Sequence, residues 1–321
     1  MAHRIPEPEQ TPDGPAYEGR LLARPDEEVV DQGPGFDLRT LMSRRAIFSV
    51  AGLGLGATVL AACTSTASSG GSSTSGSGTA SASPSATATA SGALPSAEIP
   101  DETAGPYPGD GSNGPDVLEE SGIVRSDLRT SIGSSTAVDG VPLTFTFRIT
   151  DQANGDTPFA GVAVYAWHCD AQGRYSLYSD GVTDENWLRG VQVADADGQV
   201  TFTSIVPGCY SGRWTHIHFE VYPTVADITD AGNAIATSQM AFPESILTTV
   251  YQRSAYDGST RNLSQITLAS DNVFGDDGAA LQMATITGDA DAGYAAALTV
   301  RVDTSTTPSA GAAPGGGGGP R

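Results

Sequence analysis

Leu143-Thr144-Phe145-Thr146-Phe147-Arg148-Ile149 alternates apolar and polar side chains at every step. A strand sends successive side chains to opposite faces, so this stretch reads as a β-strand with one face toward a core. The same signal recurs outward from it. Val162-Ala163-Val164-Tyr165-Ala166-Trp167 is mostly apolar, as expected of a strand covered on both faces. Val200 and Phe202 alternate with Thr201 and Thr203, Thr215 to Tyr222 alternates again, and Leu298, Val300 and Val302 close the series. Asn154-Gly155, Asp180-Gly181, Asp197-Gly198 and Pro207-Gly208 stand between these runs as turn formers. No long segment repeats apolar residues every 3.6 positions. The expected fold class is all-β, an antiparallel β-sandwich.

The rest of the 321-residue chain is unevenly built. Residues 1–41 are rich in Pro, Glu and Asp, residues 64–96 are almost entirely Ser, Thr, Ala, Gly and Pro, and residues 306–321 are mostly Ala, Pro and Gly. None carries enough apolar surface to offset the entropy of ordering it. They are expected to be a disordered N-terminal extension, a linker and a disordered tail. Residues 97–305 then form one domain, of about 200 residues.

Residues 42–63 read as an export signal. Arg44-Arg45 precedes an apolar run from Ala46 to Ala62 that Gly52, Gly54 and Gly56 interrupt. A membrane-spanning helix needs about 20 strongly apolar residues, so a twin-arginine signal fits better than an anchor helix. Leu60-Ala61-Ala62-Cys63 resembles a bacterial lipobox, with Cys63 as the lipidated residue. The expected location is the outer face of the cytoplasmic membrane, with the linker as a flexible leash behind a lipid anchor. Residues 1–41 are either a cytoplasmic extension or precede a start at Met42.

The formal charge is −21, from 16 Lys+Arg against 37 Asp+Glu. So acidic a surface repels nucleic acid. The three cysteines contain no Cys-x-x-Cys pair, which argues against a cysteine zinc cluster.

His216-Ile217-His218 lies in a predicted strand, so both imidazoles project from one face and can reach one metal ion. Alone, such a pair is also compatible with a solvated strand face. Its neighbours carry more weight. Tyr210 lies six residues before His216, Arg213 three residues before it, Gly173-Arg174-Tyr175 follows the strand ending near Cys169, and Ser238-Gln239 comes downstream.

Together these pieces resemble the intradiol ring-cleavage dioxygenases, the family of protocatechuate 3,4-dioxygenase and catechol 1,2-dioxygenase. The matching pieces are Gly173-Arg174-Tyr175, Pro207-Gly208-Cys209-Tyr210, Arg213 ahead of His216-Ile217-His218-Phe219, and Ser238-Gln239. Glu102-Thr103-Ala104-Gly105-Pro106-Tyr107 is similar to the motif that opens the family's catalytic domain. The resemblance implies an Fe(3+) cofactor held by Tyr175, Tyr210, His216 and His218, and a catechol-type substrate cleaved with O2 to a cis,cis-muconate-type diacid. Two phenolates are hard anionic donors that favour Fe(III) over Fe(II). By the same resemblance Tyr210 also accepts a substrate proton, Arg213 stabilises negative charge on the ring, and Gln239 orients that arginine or the substrate. Arg213 as a surface ion-pair residue and Gln239 as a solvated strand residue are the plainer alternatives. Trp214 is read either as core or as a pocket wall, and His168 is not read as a ligand. The segment Ser211–Thr215 is shorter than in relatives, where a loop there contributes to the substrate pocket.

Two further expectations follow. With Cys63 lipidated, Cys169 and Cys209 remain in an oxidising compartment, each just ahead of a ligand tyrosine, and are expected to form a disulfide. A second functional reading is a non-catalytic exported β-sandwich that binds iron-catecholates or saccharides. The filled ligand positions favour the enzyme.

Overall fold

The computed structural model describes residues 94–308, together with the backbone of three short strands nearer the N-terminus. Those strands, β1 (Glu9–Thr11), β2 (Gly14–Tyr17) and β3 (Arg20–Leu21), pair antiparallel in a unit of their own. These strands fall within residues 1–41, the segment expected to be a disordered N-terminal extension. The signal at 42–63, including Cys63, most of the linker and the tail from residue 309 lie outside the described residues. No described helix is long and apolar enough to cross a membrane.

The opening heptapeptide lies within β4 (Pro142–Asp151), the centre of the first sheet. One edge of β4 pairs with β12 (Gly293–Val302), which carries β11 (Thr285–Asp289) on its far side. The other edge is shared by β8 (Gln199–Ile205) and β5 (Thr157–Pro158). The second sheet has the order β10 (Ala236–Ala241), β9 (His216–Tyr222), β6 (Ala163–Trp167) and β7 (Arg189–Val193), antiparallel throughout. The β4–β12 pair is parallel. Parallel neighbours need a long crossover, and here the crossover contains the whole second sheet. Two short helices, α1 (Glu244–Val250) and α2 (Ser259–Leu263), follow β10.

The two sheets close a core between Phe145, Phe147 and Phe202 on one side and Ile217, Phe219 and Val221 on the other. The rings of Phe147 and Phe219 meet at 4.5 Å. Each such side chain contributes about 1.5–3 kcal/mol by leaving water. The opposite face of β9 is also buried. There Tyr165, Trp167, Val191 and Tyr222 pack against Val117, Leu118 and Ile123 of the segment that precedes β4. His216, His218, Glu220 and Tyr222 alternate onto this covered face, which is where a polar constellation can be held away from water.

Glu220 shows the energetic cost of that location. Burial, and then the charge of Asp110, push its carboxyl up to about 8, against an ordinary value of 4.5, although Tyr222 Oη donates to it at 2.7 Å. Because its folded-state value is raised, the folded protein keeps a proton that the unfolded chain has released over roughly pH 4.5–8. Stability therefore falls as pH rises through this window. In metal-free protein, Glu220→Gln is expected to remove that loss, on the order of a few kcal/mol at pH 8, with little difference near pH 4.5. Urea midpoints measured across the window test this; curves that stay parallel would sink it.

Candidate metal centre

His216 opens β9, and its Nε2 lies 3.0 Å from His218 Nε2, 3.5 Å from Tyr175 Oη and 3.4 Å from Tyr210 Oη. Two nitrogen ligands about 2.1 Å from one ion and at right angles to it stand about 3.0 Å apart. The four donors converge as ligands of a single ion do. Among the described residues no three His, Cys, Asp or Glu side chains could hold a metal. This site has two such residues and completes its donor set with phenols, which suits a hard, highly charged ion.

The surroundings orient each donor. His216 Nδ1 hydrogen-bonds the Trp214 carbonyl at 2.5 Å, which leaves Nε2 with its lone pair. His218 stacks on Trp167 with ring centroids 4.8 Å apart and planes 5° from parallel. Tyr175 follows a loop that Asp170 fastens, accepting from the backbone of Gln172 and Arg174 and pairing with the Arg174 guanidinium at 2.6 Å. Gly173 in that loop has φ +83°, and a Cβ there would stand 2.9 Å from Tyr210 Cβ, so only glycine lets the two tyrosines approach. Tyr210 is held from α2: Cys209 N donates to Ser259 Oγ, and Asn262 Nδ2 donates to the Cys209 carbonyl. Gly105, at φ +74°, brings the Glu102–Tyr107 motif against His218, where a Cβ would meet Cε1 at 3.1 Å.

Burial sets the electrostatics of the cage. Burial, and then the charge of Arg213, depress His216 to about 3; burial and His216 hold His218 well below the ordinary value. Both imidazoles are therefore available as neutral ligands. Burial raises the Tyr175 phenol well above its ordinary range and pushes Tyr210 up to about 12. Such phenols ionise near neutral pH only when a strong cation takes the place of the proton.

Arg213 is buried, not a surface residue. Its Nε donates to Asp271 Oδ2 at 3.0 Å, and Nη2 donates to Gln239 Oε1 at 2.6 Å and more weakly to Asp271 Oδ1. Nη1 has no protein partner among the described residues. It is the edge left for a ligand. Gln239 pairs with His218 across β9 and β10, and its Nε2 donates to the Thr103 carbonyl. It joins the arginine to the opening motif. Asp271 had no recognisable signal in the sequence, yet its carboxylate also accepts from the backbone of Trp214, Val273 and Phe274. Burial alone would raise its carboxyl, but Arg213 and these donors hold it below the usual range.

Residues 113–229 match a protein-family model described as Dioxygenase. That match covers the strands and loops that carry all four donors. Over this stretch the folded domain resembles dioxygenases. Chlorocatechol 1,2-dioxygenase of Rhodococcus opacus is 35% identical over 101 residues, 26% of this chain and 38% of that protein. The chain thus matches well under half the length of this curated relative. An intradiol ring-cleavage dioxygenase from Tetranychus urticae superposes with a TM-score of 0.51 at 24% identity, covering 66% of this chain and 96% of that one. A second solved dioxygenase gives 0.52 at the same identity and coverage. These structures confirm the sandwich architecture.

Within the folded domain the remaining sequence readings divide. Trp214 is core: it is buried, and its indole N–H donates to the Phe242 carbonyl. His168 lies apart from the four donors, between Ser204 Oγ and the Cys169 carbonyl. The Cys169–Cys209 disulfide is not formed; both residues are buried thiols. Each Sγ instead faces a carbonyl, Gly208 for Cys169 at 3.4 Å and Arg213 for Cys209 at 3.5 Å. Neighbouring positions beside two convergent tyrosines did not imply sulfurs aimed at each other. Alkylation in denaturant without reductant is expected to label both the Cys169 and the Cys209 peptides, and unlabelled peptides would restore the bridge.

Proposed function

We propose that this chain is a non-haem Fe(III) intradiol dioxygenase that cleaves catechol-type rings with O2 to cis,cis-muconate-type diacids. The observation that carries this reading is the convergence of the His218 nitrogen and two phenol oxygens within 3.5 Å of His216 Nε2. A ferric ion bound there would supply Lewis acidity that favours ionised catechol hydroxyls and an electron-rich ring. The chain's own residues then have distinct tasks. Tyr210, only partly buried while Tyr175 is closed off, is the phenol placed to take up a proton from an entering catechol hydroxyl. Arg213 presents Nη1 to charge developing on the ring, while Asp271 and Gln239 fix its other edge. Trp167 and the Trp214 carbonyl keep the imidazoles aimed.

The test combines iron content, visible colour from tyrosinate-to-iron charge transfer, and oxygen uptake with a panel of catechols followed by product analysis. About one iron per chain and a ring-opened diacid are expected. A colourless zinc protein with full activity would refute the reading.

We also propose export by the twin-arginine route and anchoring through Cys63, on the strength of Arg44-Arg45 and Leu60-Ala61-Ala62-Cys63. Cys63→Ala is expected to move the protein from the membrane fraction to the soluble one; unchanged partition would count against a lipid anchor.

A further inference from the structure

The chain contains no lysine, and all 16 of its basic residues are arginines. Among the described residues, every Lys or Arg cation that could receive an anionic substrate is therefore a guanidinium. Two lie by the centre. Arg189 is fully buried, and its five N–H groups are all engaged: Nε by Ser176 Oγ, Nη1 by the Pro108 carbonyl and Tyr165 Oη, and Nη2 by the Tyr107 and Ser176 carbonyls. It holds the segment around Tyr107 in place and has nothing left for a ligand. Arg213 has its charge matched by Asp271, and the Nε–Nη2 fork that would clasp a carboxylate is already taken by Asp271 and Gln239. Its single remaining nitrogen, Nη1, cannot make a bidentate pair.

Arg174, beside the ligand Tyr175, is likewise paired with Asp170. Two further rings stand beside the donors: Tyr107 lies 5.0 Å from Tyr175, and Phe274 lies 6.4 Å from His216. A carboxylate carried on a substrate ring would lose water here and gain no fork in return.

We propose that the site selects catechols whose ring bears no anionic group and discriminates against ring carboxylates, with Asp271 as the residue that sets this preference. The proposal rests on the ring-cleavage reading for the identity of the ligand. Arg261 is the cation that could contradict it. It is exposed on α2, next to Asn262, which donates to the Cys209 carbonyl beside Tyr210.

The test uses iron-loaded full-length protein. Anaerobic titration calorimetry with catechol, 4-methylcatechol and 3,4-dihydroxybenzoate measures binding; an oxygen electrode then measures turnover on the same compounds. The carboxylate is expected to bind about 30-fold or more weaker than the neutral pair, and kcat/KM is expected to fall in parallel. Asp271→Asn is expected to narrow that ratio by unmasking Arg213, whereas Arg261→Ala is expected to leave it unchanged. Equal affinity for all three compounds overturns the proposal, as does carboxylate binding that disappears in Arg261→Ala. An unchanged ratio in a folded Asp271→Asn protein removes Asp271 from it. Tight binding of the neutral catechols without oxygen uptake would sink the ring-cleavage reading yet leave the preference standing, and binding of none overturns both.

Discussion

His216→Ala and His218→Ala are each expected to abolish ring cleavage and to leave purified protein with little iron. Even the outer partner of a metal ligand is worth about 10–100-fold in affinity, so loss of a ligand itself is expected to exceed about 100-fold. The cavity left behind is buried and lined by aromatic rings, so water does not easily replace the lost nitrogen. Tyr175→Phe and Tyr210→Phe behave differently. Each removes one anionic donor but keeps the ring that packs against its neighbour at a centroid distance of 5.8 Å. These variants are expected to keep part of their iron, with a shifted charge-transfer band and much lower turnover. Metal analysis and visible spectra of the four proteins decide the matter. Four variants that all retain iron at wild-type levels would remove the centre from these residues.

The second large effect belongs to Arg213. Arg213→Ala is expected to lower turnover by about 100-fold or more, the scale seen when a positioned electrostatic donor is lost, while iron content stays unchanged. It also leaves Asp271 buried without its cation, at a cost of about 3–5 kcal/mol of stability. Arg213→Lys guards against the outcome in which the alanine variant fails to fold. A lysine can approach Asp271 but cannot also span Gln239 and present a third nitrogen, so rescue is expected to be partial. Turnover near wild type in a folded Arg213→Ala protein would end this role.

Much of this was legible from local pattern. Period-2 alternation located β4, β8, β9 and β12, and the apolar run located β6, because a buried face leaves a regular mark on composition. The strands it did not reveal have small or polar residues: β10 is Ala-Thr-Ser-Gln-Met-Ala, and β11 ends in Gly288 and Asp289. Their strand state comes from pairing with neighbours, which no window of sequence contains. The candidate tyrosines and histidines were readable because the family resemblance carried them. Asp271 was not, since it meets Arg213 from 58 positions away and is surrounded by ordinary turn residues. The cysteines mark the opposite limit. Their closeness in the fold could be anticipated, but the direction of each sulfur could not.

The parallel pairing of β4 with β12 has a consequence for the order of assembly. The central strand of the first sheet, residues 142–151, waits for a partner at residues 293–302. Just ahead of that sheet, the Ile99 N–H reaches the Arg301 carbonyl, and Arg301 Nη1 reaches the carbonyl of Pro95. The start and finish of the domain are thus stitched to each other. A ribosome delivering the chain from its N-terminus releases a sheet with an open edge until nearly the last strand has emerged. Contacts this distant in sequence make closure slow, a late event that follows synthesis and does not accompany it.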